Sequence, residues 1–310
     1  MKFKIQHWLK YLTYSPKVTI AITLVIIGVL GVSVWLVGIS RAQTKADETP
    51  STSASKLNDL TQAKTETGPA TDTKPSQAKT AAPEPAPAAP VPAAKSCTNP
   101  VFTTSDKNGG WSTNGYYVHN NMWNDSVTLG PETLYACSYR NWYVVSNQFN
   151  EAGAVKTYPN VHKDYNDVPI SSFNRITSTF AATSPHIGIY NVAYDIWING
   201  VASSGSTEVM IWTENFNQVP SGKKAATVSF GGQTYAVWKT SDNQYIAFVP
   251  SSIMTSGNLD LLAMFKWLMA KGWLDPNSTL GQIDYGVEIV STNGKPATFI
   301  FTDFSITDNW

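Results

Sequence analysis

Along the C-terminal two thirds of the chain, short runs of β-branched and aromatic residues alternate with polar positions and are punctuated by polar turns. They fall at residues 115–118, 142–146, 175–181, 192–198, 208–213, 233–240, 245–249, 283–292 and 297–302. A period of two puts successive side chains on opposite faces of a strand, and many such strands at short intervals predict an all-β sandwich. Between residues 226–230 and 233–238 stand Gly231 and Gly232, a two-residue link able to take the positive φ angles of a tight hairpin. One stretch follows a different period. At 259–271, Leu261, Leu262, Phe265, Leu268 and Met269 recur at helical spacing, with Ser256 or Asn258 as candidate N-cap and Gly272 after the last turn. That helix is expected to pack on the sandwich with its apolar side chains in the core.

The pattern breaks down before residue 96. Residues 18–39 are 22 consecutive uncharged positions, enough to cross about 30 Å of hydrocarbon as a helix. Lys2, Lys4, Lys10 and Lys17 precede them with no acid, which keeps the N-terminus cytoplasmic and exports everything that follows. Residues 1–42 are therefore expected to be a basic flank and a transmembrane or signal segment. An uncleaved anchor is favoured, although Ser40-Arg41-Ala42 is compatible with cleavage. Residues 43–95 hold no aromatic residue and end in a run with Pro83, Pro85, Pro87, Pro90 and Pro92. Such a segment buries too little apolar surface to order itself, and reads as a disordered linker. Residues 96–310 carry nine of the eleven Trp, which locates the globular, functional domain there.

That domain has 11 Lys and Arg against 16 Asp and Glu, without the basic stripe that phosphate backbones require, so nucleic acid is excluded as an expected partner. Cys97 and Cys137 lie in the exported part, where a structural disulfide persists. Two Cys and the scattered His7, His119, His162 and His186 offer no zinc-like spacing, so neither metal nor cofactor is expected.

Strand parity then singles out acids. In Glu208-Val209-Met210-Ile211-Trp212 the glutamate shares a face with Met210 and Trp212; Asp195 shares one with Trp197; Glu288 lies opposite Val287 and Ile289. A carboxylate inside an apolar strand needs a partner or a task. Asp164, Asp167, Glu214, Asp242 and Asp284, near turns or polar runs, read as ordinary solvent-facing acids.

Five ordered motifs carry more than parity can. They are Tyr117-Val118-His119-Asn120-Asn121-Met122-Trp123, Val155-Lys156-Thr157-Tyr158-Pro159-Asn160, Asn191-Val192-Ala193-Tyr194-Asp195-Ile196-Trp197, Glu208-Val209-Met210-Ile211-Trp212 and Tyr285-Gly286-Val287-Glu288-Ile289-Val290-Ser291-Thr292. With them the domain resembles glycoside hydrolase family 12. The resemblance implies a jelly roll of two antiparallel sheets, one of them curved into an open cleft for a β-1,4-linked glucan. It also implies retaining endo-hydrolysis with Glu208 as nucleophile, Glu288 as acid/base and Asp195 tuning Glu208. Retention requires the two carboxyls about 5 to 5.5 Å apart, one ionised and one protonated. Trp123 corresponds to a sugar-stacking platform and Asn121 to a hydrogen-bonding partner. Trp142, Met210 and Trp238 are candidates for the cleft wall as much as for the core. The family usually places Gly after the motif tryptophan; here it is Asn124, expected to take the left-handed backbone itself. The expected protein is a monomeric extracellular enzyme, membrane-anchored or secreted, acting on cellulose-like glucans, mixed-linkage β-glucan or xyloglucan. The alternatives are a non-catalytic glucan-binding module, since jelly rolls also serve lectins, and a surface adhesion protein.

Overall fold

The structure is a computed structural model, and it describes residues 96–150 and 153–310. The expected membrane or signal segment and the linker lie outside the described residues. Among the described residues no helix is long and apolar enough to cross a membrane.

Among the described residues fifteen strands and one α-helix follow in chain order: β1 (Phe102–Thr104), β2 (Gly110–Thr113), β3 (Tyr116–His119), β4 (Glu132–Ser138), β5 (Asn141–Ser146), β6 (Asn160–Pro169), β7 (Arg175–Thr183), β8 (Ile189–Ile198), β9 (Thr207–Phe216), β10 (Lys223–Phe230), β11 (Gln233–Lys239), β12 (Tyr245–Pro250), β13 (Ser256–Asp260), α1 (Leu261–Ala270), β14 (Thr279–Ser291) and β15 (Ala297–Asn309). They form two sheets, a six-stranded one in the order β1-β4-β5-β15-β7-β13 and a nine-stranded one in the order β10-β11-β12-β9-β8-β14-β6-β3-β2. Period-two burial is clean in the smaller sheet: in β5 and β7 every second residue is buried. Those inward side chains meet the inner face of the larger sheet in one core, where Phe180, Phe301 and Phe304 pack against Tyr194 and Tyr285. In β8 the second face is buried too, because it forms the floor of a cleft.

All pairings in the smaller sheet are antiparallel, as expected. The larger sheet departs from that expectation: β12 runs parallel to β9. After β9 the chain does not turn back beside it. Residues 217–222 carry it to the far edge, β10 and β11 form a hairpin there, and β12 then fills the gap next to β9. The hairpin turns on Gly231 and Gly232, both with positive φ (56° and 79°), as the sequence predicts.

The nine-stranded sheet is wider than its partner. The helix covers part of the excess, with Trp267 set against Phe230 of β10 and Phe248 of β12. Its buried face is Leu261, Leu262, Met264, Phe265 and Leu268. The N-cap is neither Ser256 nor Asn258, which lie in β13, but Asp260, whose side chain accepts from the Ala263 amide at 2.9 Å. Cys97 and Cys137 form a disulfide that ties the start of the domain to β4.

Candidate active site

A cavity of about 750 Å³ opens on the outer face of the nine-stranded sheet. Its floor is built by cross-strand pairing. Asp195 on β8 lies opposite Met210 of β9 on one side and opposite Asp284 of β14 on the other, and Asp284 lies opposite His162 of β6. One row along, Glu208 of β9 lies opposite Trp197 of β8 and Tyr245 of β12. Glu288 of β14 lies opposite Asn191 of β8. The two glutamates therefore stand on the two strands that flank β8, and both line the cavity. The connection at 217–222 contributes Gln218, Val219 and Ser221 to the wall, and the segment after β3 contributes Asn121 and Trp123.

Close approach of β6 to β14 depends on Gly286, which shares a face with Asp284 and Glu288. A Cβ there would fall 2.1 Å from the Pro159 carbonyl oxygen and 2.8 Å from the Asn160 Cα, so no other residue fits without moving the strand.

Four carboxyl groups, Asp195, Glu208, Asp284 and Glu288, line the cavity, and no Lys or Arg is among its lining residues. The four are buried in its floor with no cation beside them, so all four hold their protons more tightly than free carboxyls. Burial, then the charge of Glu288, pushes Glu208 up to about 8. Burial pushes Glu288 up to about 7 against the opposing effect of Asn191, whose amide donates to Oε2 at 2.5 Å. Asp195 is raised well above the usual carboxylate range by burial first and then by Glu208, Asp284 and Glu288. Asp284 is raised likewise, by burial and then by Asp164. The histidines at one end, His119 and His162, are both lowered to about 4, chiefly by burial. They are neutral imidazoles at any pH where the glutamates titrate. Among the described residues no group of three or more His, Cys, Asp or Glu is arranged to hold a metal ion.

Of the residues singled out by sequence, Glu208, Glu288, Asp195, Asn121 and Trp123 are brought together here, and Trp123 is 51 % exposed. Three others are not in the wall. Trp142 is fully buried between the sheets, its ring stacked on Phe301 with centroids 4.0 Å apart. Met210 has the right parity but is covered: its sulfur accepts from the Trp212 indole nitrogen at 3.4 Å, so it props Trp212 from below. Trp238 sits on β11, opposite Ala247 of β12, and is not a lining residue. The left-handed backbone expected at Asn124 falls instead at Asn121 (φ 41°); Asn124 is buried and donates to the Val155 carbonyl at 2.7 Å.

Two acids read as solvent-facing are buried. Glu214 accepts from Tyr190 Oη at 2.7 Å and lies 3.1 Å from His186 Nε2, away from the cavity. Asp284 is on the cavity floor. The site also includes Trp212, Trp197, Tyr158 and Tyr245, together with Asn191, the partner of Glu288. Asn191 could have been found from its parity with Ala193 and Asp195. Tyr245, first in its strand, carried no such signal.

Comparison with known proteins gives this geometry a family. Residues 114–309, more than half of the chain, match the model of glycosyl hydrolase family 12. Endoglucanase S of Pectobacterium parmentieri is 28% identical over 211 residues, covering 59% of this chain and 78% of that protein. The xyloglucan-specific endo-beta-1,4-glucanase A of Emericella nidulans is 25% identical over 222 residues, covering 66% and 92%. Among solved structures, the xyloglucanase domain of NopAA, a type three effector from Sinorhizobium fredii in complex with cellobiose, aligns with a TM-score of 0.58 at 28% identity, over 68% of this chain and 100% of that one. The native family 12 xyloglucanase from Bacillus licheniformis aligns with a TM-score of 0.61 at 22% identity, over 67% and 100%, a likeness of fold. The chain belongs to glycosyl hydrolase family 12 and is a glycoside hydrolase.

Proposed function

We propose that this enzyme is an endo-acting β-1,4-glucanase that hydrolyses cellulose-like glucans, mixed-linkage β-glucan or xyloglucan with retention of configuration. The observation that carries the reading is the placing of Glu208 and Glu288 on either side of β8, facing one cavity, with the charge of Glu288 raising the proton affinity of Glu208. The pair titrates as a unit near 7 and 8 and between those values holds about one proton; the double displacement starts from the form with that proton on Glu288 and Glu208 ionised, although the free site holds it more tightly on Glu208. The names borne by the relatives, endoglucanase and xyloglucan-specific endo-beta-1,4-glucanase, support the substrate class.

In the proposed cycle a Glu208 oxygen attacks the anomeric carbon while the bond to the leaving oxygen breaks and Glu288 gives that oxygen its proton. Water then attacks the glycosyl-enzyme, Glu288 takes the water's proton, and Glu208 is released as carboxylate. Asp195, diagonal to Glu208 and itself protonated, supports the ionised nucleophile by hydrogen bonding. Trp123 offers a ring face and Asn121 an amide to a glucosyl unit. We further propose that the enzyme is an extracellular monomer held to the membrane through residues 18–39, with residues 43–95 as spacer.

The test follows anomeric configuration by NMR while the isolated domain, residues 96–310, acts on the three glucans, followed by azide rescue of Glu208→Ala and Glu288→Ala. Retention, with a β-glycosyl azide from Glu288→Ala and an α-glycosyl azide from Glu208→Ala, fits the proposed roles. Exchanged anomers reverse them, and a wild-type domain that binds glucan without releasing reducing ends is a binding module.

A further inference from the structure

Asp284 is the acid on the cavity floor that the proposed cycle leaves without a task. It is 4 % exposed, lines the cavity, and its Oδ1 meets no hydrogen-bond donor; the same is true of Oδ1 of Asp195, directly opposite across β8 and β14. Every group that could have compensated it is otherwise engaged or uncharged. From β6, His162 is neutral and paired through Nδ1 with Asn160, and Asp164 adds negative charge while accepting from Gln282. From the segment before β6, Tyr158 directs its hydroxyl to the Ala193 carbonyl at 3.0 Å. Glu288 on the same strand, and Glu208 beyond β8, are further acids.

Both Oδ1 atoms are closed to solvent, so a ligand meets each carboxyl through its other oxygen; a buried carboxyl so poorly compensated is costly, and its persistence on the floor of a binding cleft points to a ligand that completes the group. A sugar hydroxyl suits it because one group both donates and accepts, and so matches two facing acids whichever holds the proton. In strand order, β14 lies between β9, which carries Glu208, and β3, which leads to Trp123. The geometry points to Asp284 as a substrate-recognition residue that hydrogen-bonds, together with Asp195, a hydroxyl of the glucosyl unit bound between the glutamates and Trp123. This assignment rests on the proposed glucanase reading.

The test is a cycle between enzyme and substrate, using an aryl β-cellobioside and its monodeoxy analogues. In wild type, removal of one particular hydroxyl should lower kcat/KM by about 10- to 100-fold, the usual loss for an unmatched buried polar group. In Asp284→Ala the penalty at that hydroxyl should shrink to about twofold or less while the penalties at other hydroxyls persist, and Asp284→Asn, isosteric, should retain part of it. Because the variant removes an unpaired buried acid, Asp284→Ala should melt no lower than wild type. Equal deoxy penalties in wild type and Asp284→Ala overturn the assignment, and a lowered Tm alongside them makes Asp284 structural. A wild-type domain inactive on aryl cellobioside and on glucan alike removes both readings, whereas an active one with unchanged penalties removes this one alone.

Discussion

Glu208 and Glu288 differ from solvent-facing acids in a way that a pH profile reads directly. Burial raises both, to about 8 and about 7, and in the proposed cycle the pair works with one proton on it. As pH rises through about 7 to 8 the acid partner loses that proton, so kcat/KM on an aryl cellobioside should fall along an alkaline limb in this range. As pH drops below it, the pair takes up a second proton and the nucleophile is lost. A kcat/KM flat from pH 6 to 9 would contradict the coupling. At this scale parity made much of the site legible. It singled out Glu208, Asp195 and Glu288 because each interrupts an apolar strand, while the family resemblance supplied their roles. It missed Asp284 because Gln282, two positions earlier, made that part of the strand look like a half-polar surface, although 284, 286 and 288 share a face. Parity also had no purchase on Trp142, since Trp142-Tyr143-Val144-Val145 puts apolar side chains on both faces.

Strands with a wet face and a dry face announced themselves, whereas those serving the cleft did not. β6 alternates poorly because Asn160 and His162 face the site, and Lys163 lies on the other side, paired with Asp308 at 2.6 Å and 4.9 Å above the Tyr165 ring. The parallel β9–β12 pair was equally hidden, since it depends on where residues 217–222 lead and on no local period. Two predictions belong to elements. Gly286→Ala, whose Cβ would strike the Pro159 carbonyl and the Asn160 backbone, should force β6 from β14. It should cost roughly 1 to 3 kcal/mol or more in chemical denaturation, together with most of the activity; a variant with wild-type stability and rate would refute the close contact. The Cys97–Cys137 bridge closes a loop with a sequence separation of 40, which the chain-entropy model values at about 4 kcal/mol. Neither Cys97 nor Cys137 lines the cavity, so reduction should lower Tm while initial rates at moderate temperature stay close to those of the oxidised enzyme.

At the scale of the domain, Glu132, Asp195, Glu208, Asp284 and Glu288 act in one direction. Glu132 belongs with the four of the cleft: it is held by Thr157 Oγ1 at 2.6 Å, yet burial raises it to about 7. For each such acid the folded pKa lies above an unfolded value of about 4 to 4.5. Below the unfolded value both states are protonated and no penalty arises. Between the two values the folded state binds more protons than the unfolded, so stability falls as pH rises, and above the folded value the loss is complete. Asp242 has the opposite sign, lowered first by its bond with Thr240, but it is solvent-exposed and screened. The excess of 16 acids over 11 bases in residues 96–310 adds repulsion in the same direction as the buried group. The isolated domain should therefore melt at a higher temperature at pH 5 than at pH 8, by calorimetry or circular dichroism. Glu132→Gln, which keeps the shape without the charge, should flatten part of that slope without moving the kcat/KM profile, because Glu132 is not in the cavity. A Tm that climbs from pH 5 to pH 8 would mean that these acids are ionised in the folded state at little cost. The cleft would then lack the dry, cation-free floor on which the proposed chemistry depends.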